Sequence, residues 1–196
     1  MDREKKNGLR FRIYRTERSV IVAYQTGLAR PAARHRSKGC RYAASSLQEL
    51  VSHPEVDLVL VLTPAFQHEE GIRAAIEAGK DVYCEWLLTP STALCKELLE
   101  LGDKVGVRTI VGLQRRLNPG YRYVRDLLER GEIGEVRSVR LHVSVEYFQR
   151  ERPASLYYTI PEENFSSLLS IYGGHFLDVL FTAMVRAHFR RRGSHA

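Results

Sequence analysis

The chain has 196 residues, a hydrophobic share of 44% and a formal net charge of +7. That length suits one ordinary domain or one and a fraction, and no apolar run approaches the ~18 to 20 residues of a membrane-spanning helix. Residues 1–42 carry twelve Lys or Arg against three acids, so everything after residue 42 sums to −2. A basic arm can touch polyanions non-specifically. No aromatic platform or recognition-helix pattern accompanies it, which makes nucleic acid an unfavoured partner. The N-terminal charges are followed by no apolar core, so no secretory signal is read there. Three cysteines (Cys40, Cys84, Cys95) form no CxxC pair. That composition points to reduced thiols and a cytoplasmic chain, or a nuclear one if its role is regulatory. No metal-ligand set stands out.

In chain order, Phe11 to Tyr14 and Val20 to Tyr24 are short apolar pieces that could be strands. Gly8, Gly27 and Gly39 are isolated, so the G-x-G-x-x-G turn that lets backbone amides approach a pyrophosphate is absent. Ala29 to Ser45 is rich in arginine and alanine and could be a poor helix. Ser46 to Ser52 reads as a short helix with Leu47, Leu50 and Val51 on one face. Leu58 to Leu62 is an unbroken apolar run, which predicts an interior strand buried on both faces and stopped by Thr63-Pro64. From Gln67 to Ala78, the spacing of Ile72, Ala75 and Ile76 predicts a helix, with Gly79 as its C-terminal cap. Asp81 to Glu85 returns as a strand. A second helix follows from Pro90-Ser91 (Leu94, Leu98, Leu101), closed by Gly102 to Gly106, and Val107 to Leu113 reads as another buried strand.

This β-α-β-α-β order makes the fold class α/β, with parallel strands joined by right-handed crossovers. Gln114 to Pro119 is then a loop at a strand end. A helix with Tyr121, Val124, Leu127 and Leu128 inward runs to Gly131. From Val139 to Tyr147 apolar and polar residues alternate, which predicts an open-faced strand. Phe148 to Glu163 reads as a loop. Beyond Gly173-Gly174 a helix turns Phe176, Val179, Leu180, Ala183 and Met184 inward. Ligands of open α/β sheets bind outside the carboxyl ends of the strands. Thr63-Pro64, Glu85-Trp86 and the loop from Gln114 stand at three such ends, with His68 in the first turn of the intervening helix.

VDLVLVLTPAFQH, AGKDVYCEW, VRTIVGLQRR with Pro119, RGEIGEVRSV and GGHFLDVL follow one another with regular spacing over roughly residues 45–185. In that order they resemble the Gfo/Idh/MocA oxidoreductases, and Glu85-Trp86, VGLQRR and LLSIYGGHFLDVL resemble the fungal branch similar to the yeast galactose-pathway repressor. The resemblance implies a Rossmann-like dinucleotide domain over 43–134, after an atypical basic segment 1–42, and the start of an open-faced α/β substrate domain over 135–196. It implies NAD or NADP as cofactor, a sugar-like or polyol substrate, and pairing of chains through the open sheet. Thr63 and Pro64 would line the dinucleotide pocket, and His68 would lie beside the nicotinamide ribose. Glu85 would accept from a ribose hydroxyl, Trp86 would pack at the nicotinamide end, and Gln114 and Arg115 would border the substrate mouth. His175 would be the general acid/base and Asp178 would orient the substrate hydroxyl. The same residues also have plain readings: a strand-end tryptophan packs, and a first-turn carboxylate suits a helix dipole. This chain departs from the family pattern in three ways. Trp86 replaces the lysine that assists proton transfer, the glycine-rich turn is missing, and the second domain stops after one helix. The arginine-rich ends read as those of an incomplete or degenerate product. A non-catalytic nucleotide-sensing co-regulator, or an inactive remnant, is the alternative to an enzyme.

Overall fold

Alternation along three short parallel strands decides where the core sits. In the computed structural model, residues 9–15, 20–26, 44, 46–144, 157 and 159–193 are described, with 9–15, 20–26 and 185–193 as backbone alone. Two compact units emerge. One holds the described residues up to Gly112 with those of 154–166; the other holds the described residues of 113–153 and of 167–196.

The first unit is built on five strands arranged in sequence order: β1 (Leu9–Arg15), β2 (Val20–Thr26), β3 (Leu58–Val61), β4 (Asp81–Glu85) and β5 (Thr109–Gly112). β1 runs antiparallel to β2, and β2 through β5 are mutually parallel. Both N-terminal strands expected from the sequence are present. The expected helix over 29–45 falls almost wholly outside the described residues. The result is an α/β, Rossmann-like sheet whose helices, among the described residues, are α1 (Leu47–Val51), α2 (His68–Glu77) and α3 (Thr92–Val105). Val59 and Val61 of β3 and Val82 and Cys84 of β4 point to one side and are almost fully buried. They meet Leu50 and Val51 of α1, Ile72, Ala75 and Ile76 of α2, and Leu98 of α3.

Two burial expectations need correction. Leu58 and Leu60 are half-buried rather than buried, so β3 has one dry face and not two. In β5, Thr109 and Ile110 are exposed and only Gly112 is buried, because β5 is the edge strand of the described sheet.

The helix ends follow local rules. Gly79 (φ 69°) donates to the Ile76 carbonyl at 2.9 Å and Lys80 donates to that of Ala75 at 2.9 Å, the paired bonds of a Schellman motif. Ser91 caps α3 by accepting from the Leu94 N–H, and Gly106 (φ 83°) ends it.

In the second unit a short turn, Gln114–Leu117, leads to α4 (Pro119–Arg130), which is capped by the Asn118 side chain and closed at Gly131. Of the four residues expected inward on α4, Leu128 is buried, Tyr121 and Leu127 are half-buried, and Val124 is 49% exposed. A π-helical turn, Leu169–Gly173, runs into α5 (Gly174–Gly193). The strand expected from Val139 does not form over its described part: residues 139–144 are exposed and unpaired, and 145–147 lie outside the described residues. An alternating segment becomes a strand only when a neighbour completes its ladder.

One stretch, Glu162–Met184, has the length and mean hydropathy (1.2) to cross a membrane, which the run-length reading of the sequence passed over. It carries Asp178, ion-paired with Arg116, and the buried His175. Those groups are costly in hydrocarbon and at home in a protein site.

Around Gly106 a Cβ would meet nothing within 4 Å, so Gly106→Ala isolates the cost of the left-handed backbone. A loss of about 1–2 kcal/mol in urea denaturation is expected, with unchanged circular dichroism.

Candidate functional site

The residues named at the strand ends form two groups, one in each unit. In the first unit β3 ends at Val61, and Thr63 follows at 6% exposure with its Oγ1 buried and without a hydrogen-bond partner. Pro64 is half-buried and opens the short turn Ala65–Gln67 that delivers His68 to the start of α2. His68 is 1% exposed. Its Nε2 lies 2.6 Å from the Thr63 carbonyl oxygen, and its Nδ1 lies 2.9 Å from the Leu88 carbonyl oxygen and 3.2 Å from Cys84 Sγ. The resemblance set this ring beside a ribose; the geometry gives both its nitrogens to the chain itself. It joins the turn after β3 to the turn after β4.

Glu85, the last residue of β4, is half-buried. Burial pushes its carboxyl above the usual range, opposed by the neighbouring Tyr83 hydroxyl and by the charge of His68. Burial likewise raises the Cys84 thiol, which keeps it protonated and unreactive. Trp86 is half-buried beside Glu85. Thr63, Pro64, Glu85 and Trp86 therefore stand on adjacent strand ends, as expected.

In the second unit, Gln114 is exposed, and the Arg115 guanidinium lies 4.6 Å over the Phe176 ring. His175, in the first turn of α5, is 8% exposed, and its Nδ1 is buried without a partner. Desolvation lowers its pKa below the ordinary histidine value, and the nearby Arg115 cation adds to that while Asp178 opposes it. Asp178 receives a two-pronged ion pair from Arg116, whose Nε donates to Oδ2 at 2.9 Å and whose Nη2 donates to Oδ1. The structure thus brings Arg115, His175 and Asp178 together and leaves Gln114 facing solvent. Arg116 was not singled out from the sequence. Two adjacent arginines look alike there, and only the turn sends one over Phe176 and the other to Asp178. Among the described residues, no three His, Cys, Asp or Glu side chains converge as a metal site.

Residues 5–113 match the family described as "Oxidoreductase family, NAD-binding Rossmann fold". The dehydrogenase aclE of Aspergillus oryzae is 30% identical over 164 residues, which are 84% of this chain and 42% of that protein. Inositol 2-dehydrogenase of Corynebacterium glutamicum is 34% identical over 122 residues, 62% of this chain and 36% of that protein. Among solved structures, a super-repressor mutant of Gal80p from Saccharomyces cerevisiae shares the fold with a TM-score of 0.69 at 23% identity, over 78% of this chain and 41% of its own. The match over more than half of its length makes the chain a member of the Gfo/Idh/MocA oxidoreductase family, with its NAD-binding Rossmann fold, and fungal proteins stand among its relatives. It spans less than half the length of the curated relatives it matches.

Replacing Arg115 by Gln removes a cation that disfavours the imidazolium of His175. The His175 ring should then titrate at higher pH, as read by proton NMR of the histidine resonances. Replacing His68 by Leu leaves the buried Thr63 carbonyl and the part-buried Leu88 carbonyl without a ring partner. That should cost on the order of 2–3 kcal/mol in urea denaturation.

Proposed function

We propose that the chain binds NAD(P) at the carboxyl ends of β3 and β4 and serves an oxidoreduction of a sugar-like or polyol substrate. In this reading residues 43–134 hold the dinucleotide and residues 135–196 begin the substrate domain. The observation that carries it is the pair of polar groups at adjacent strand ends. Thr63 Oγ1 is buried with no partner just beyond the end of β3, and the half-buried Glu85 is an acceptor at the end of the neighbouring strand β4. Buried polar atoms are normally satisfied, so an orphan at a strand end suits a hydroxyl-rich ligand. Membership of an NAD-binding family names that ligand, and the inositol 2-dehydrogenases among the relatives favour a polyol substrate.

When bound, the nicotinamide supplies the hydride chemistry. The chain's own residues would do the rest. Thr63 and Glu85 would hold cofactor hydroxyls, and Trp86 would cover the nicotinamide end. His175, biased toward its neutral form by burial and Arg115, is suited to take the proton of a substrate hydroxyl at Nδ1, which has no competing partner. Asp178, held by Arg116, would fix that hydroxyl.

Trp86 is the only tryptophan, so its emission reports on the pocket directly. Titration with NADH and NADPH should give saturable quenching; a flat signal from a folded chain would refute the reading. His175→Ala should lower polyol turnover by about 10²–10⁴-fold while leaving the quenching curve in place. Binding without turnover on any polyol would instead support the non-catalytic co-regulator.

A further inference from the structure

Side chains alternate along β4, so Val82 and Cys84 enter the core while Asp81, Tyr83 and Glu85 share the opposite face. Tyr83 and Glu85, two residues apart, are therefore neighbours on one surface of the sheet, with the Tyr83 hydroxyl close enough to the Glu85 carboxyl to bear on its charge. Across the ladder, Glu85 is paired with Gly112 of β5, and Tyr83 with Ile110. The phenol leans along its strand into the space that a side chain at 112 would fill. A Cβ built on Gly112 would lie 2.5 Å from Tyr83 Oη and 3.0 Å from its Cζ. Gly112 has an ordinary backbone conformation, so its lack of a side chain answers to this contact and not to φ. The ring tip is thus held between the backbone of β5 and the carboxylate of Glu85.

We propose that Tyr83 is a positioning residue of the dinucleotide site: seated over Gly112, its hydroxyl holds one side of the Glu85 carboxylate and leaves the remaining acceptor capacity to a cofactor hydroxyl. The inference rests on the reading of Glu85 as a cofactor ligand. It names a part of the site outside the strand-end residues themselves. The phenol is suited to the task because burial and the neighbouring carboxylate keep it protonated, hence a donor. Donation from it would also favour the charged carboxylate against the burial that would neutralise it. The other titratable groups facing Glu85 are few. His68, from the start of α2, contributes a favourable charge, and Cys84 is adjacent on the strand. β3 and β5 bring no titratable side chain.

Tyr83→Phe keeps the ring and removes only the donor. NADH affinity of the full chain, read from Trp86 quenching, should fall by about 3- to 10-fold near neutrality, the range of one hydrogen bond. Losing the donor raises the Glu85 pKa further, so the acid-side midpoint of NADH binding should move to higher pH. A purely structural role would lower thermal stability but leave that midpoint where it was. Wild-type affinity and an unmoved midpoint in Tyr83→Phe would overturn the inference. Glu85→Gln separates it from the reading beneath it. That variant should bind more weakly and lose the acid-side transition. Unchanged binding in Glu85→Gln, or no NADH binding by the unmutated chain, would overturn the cofactor role of Glu85 and the inference with it.

Discussion

Two backbone carbonyls, from the turns that follow neighbouring parallel strands, converge on one imidazole. Neither Thr63 nor Leu88 has its carbonyl in a ladder; the Thr63 contact is buried and the Leu88 contact part-buried, so both gain from a polar partner in the chain. His68 supplies both contacts from a single ring at 1% exposure. Few other side chains reach two such points: a lysine or serine would have one polar end, and an asparagine is too short to span them. The ring therefore fixes the separation of the turns on either side of it. Those turns carry Thr63-Pro64 on one strand and Glu85-Trp86 on the next. The strand-end site is only as well defined as that link, and the burial of Cys84 against the same ring closes the gap behind it.

The parts of the fold that could be read from the sequence are those decided locally. The apolar phase of Ile72, Ala75 and Ile76 and the glycines at 79, 106 and 131 depend on a few neighbouring residues, and each does in the structure what its spacing predicts. Strand burial depends on what lies across the sheet. An apolar run such as Leu58 to Leu62 cannot say whether one face or both will be covered, and Ile110 cannot say that its strand is an edge. Val139 to Ser144 has the alternation of a strand without the neighbour that would make it one.

The site divides along the same line. Strand ends locate Thr63, Glu85 and Trp86 because the chemistry of α/β sheets places ligands there. His68 was found by position, but its contacts were not legible, since nothing in the sequence says that a carbonyl twenty residues away will face its ring. Tyr83 carried a usable signal: two residues before Glu85 on a strand means the same face. Arg116 carried none. Its pairing with Asp178 joins positions sixty-two residues apart and rests on the geometry of a single short turn.

The missing glycine turn has a structural counterpart. In the doubly wound order the strands reverse direction of addition at the first strand, and the dinucleotide lies across that point. The described sheet runs from β1 to β5 without such a reversal. The start of α2 does not make up for it, because Glu69 and Glu70 stand exposed in its first turn, where they oppose a phosphate. What remains at these strand ends is suited to hydroxyl groups: an orphaned threonine oxygen and a half-buried carboxylate with a phenol on the same face of its strand. On the proposed reading, recognition built that way would favour the ribose over the pyrophosphate. On that reading the state of the Glu85 carboxylate, rather than a backbone cradle, would be the main determinant of how firmly this part of the chain holds a nucleotide.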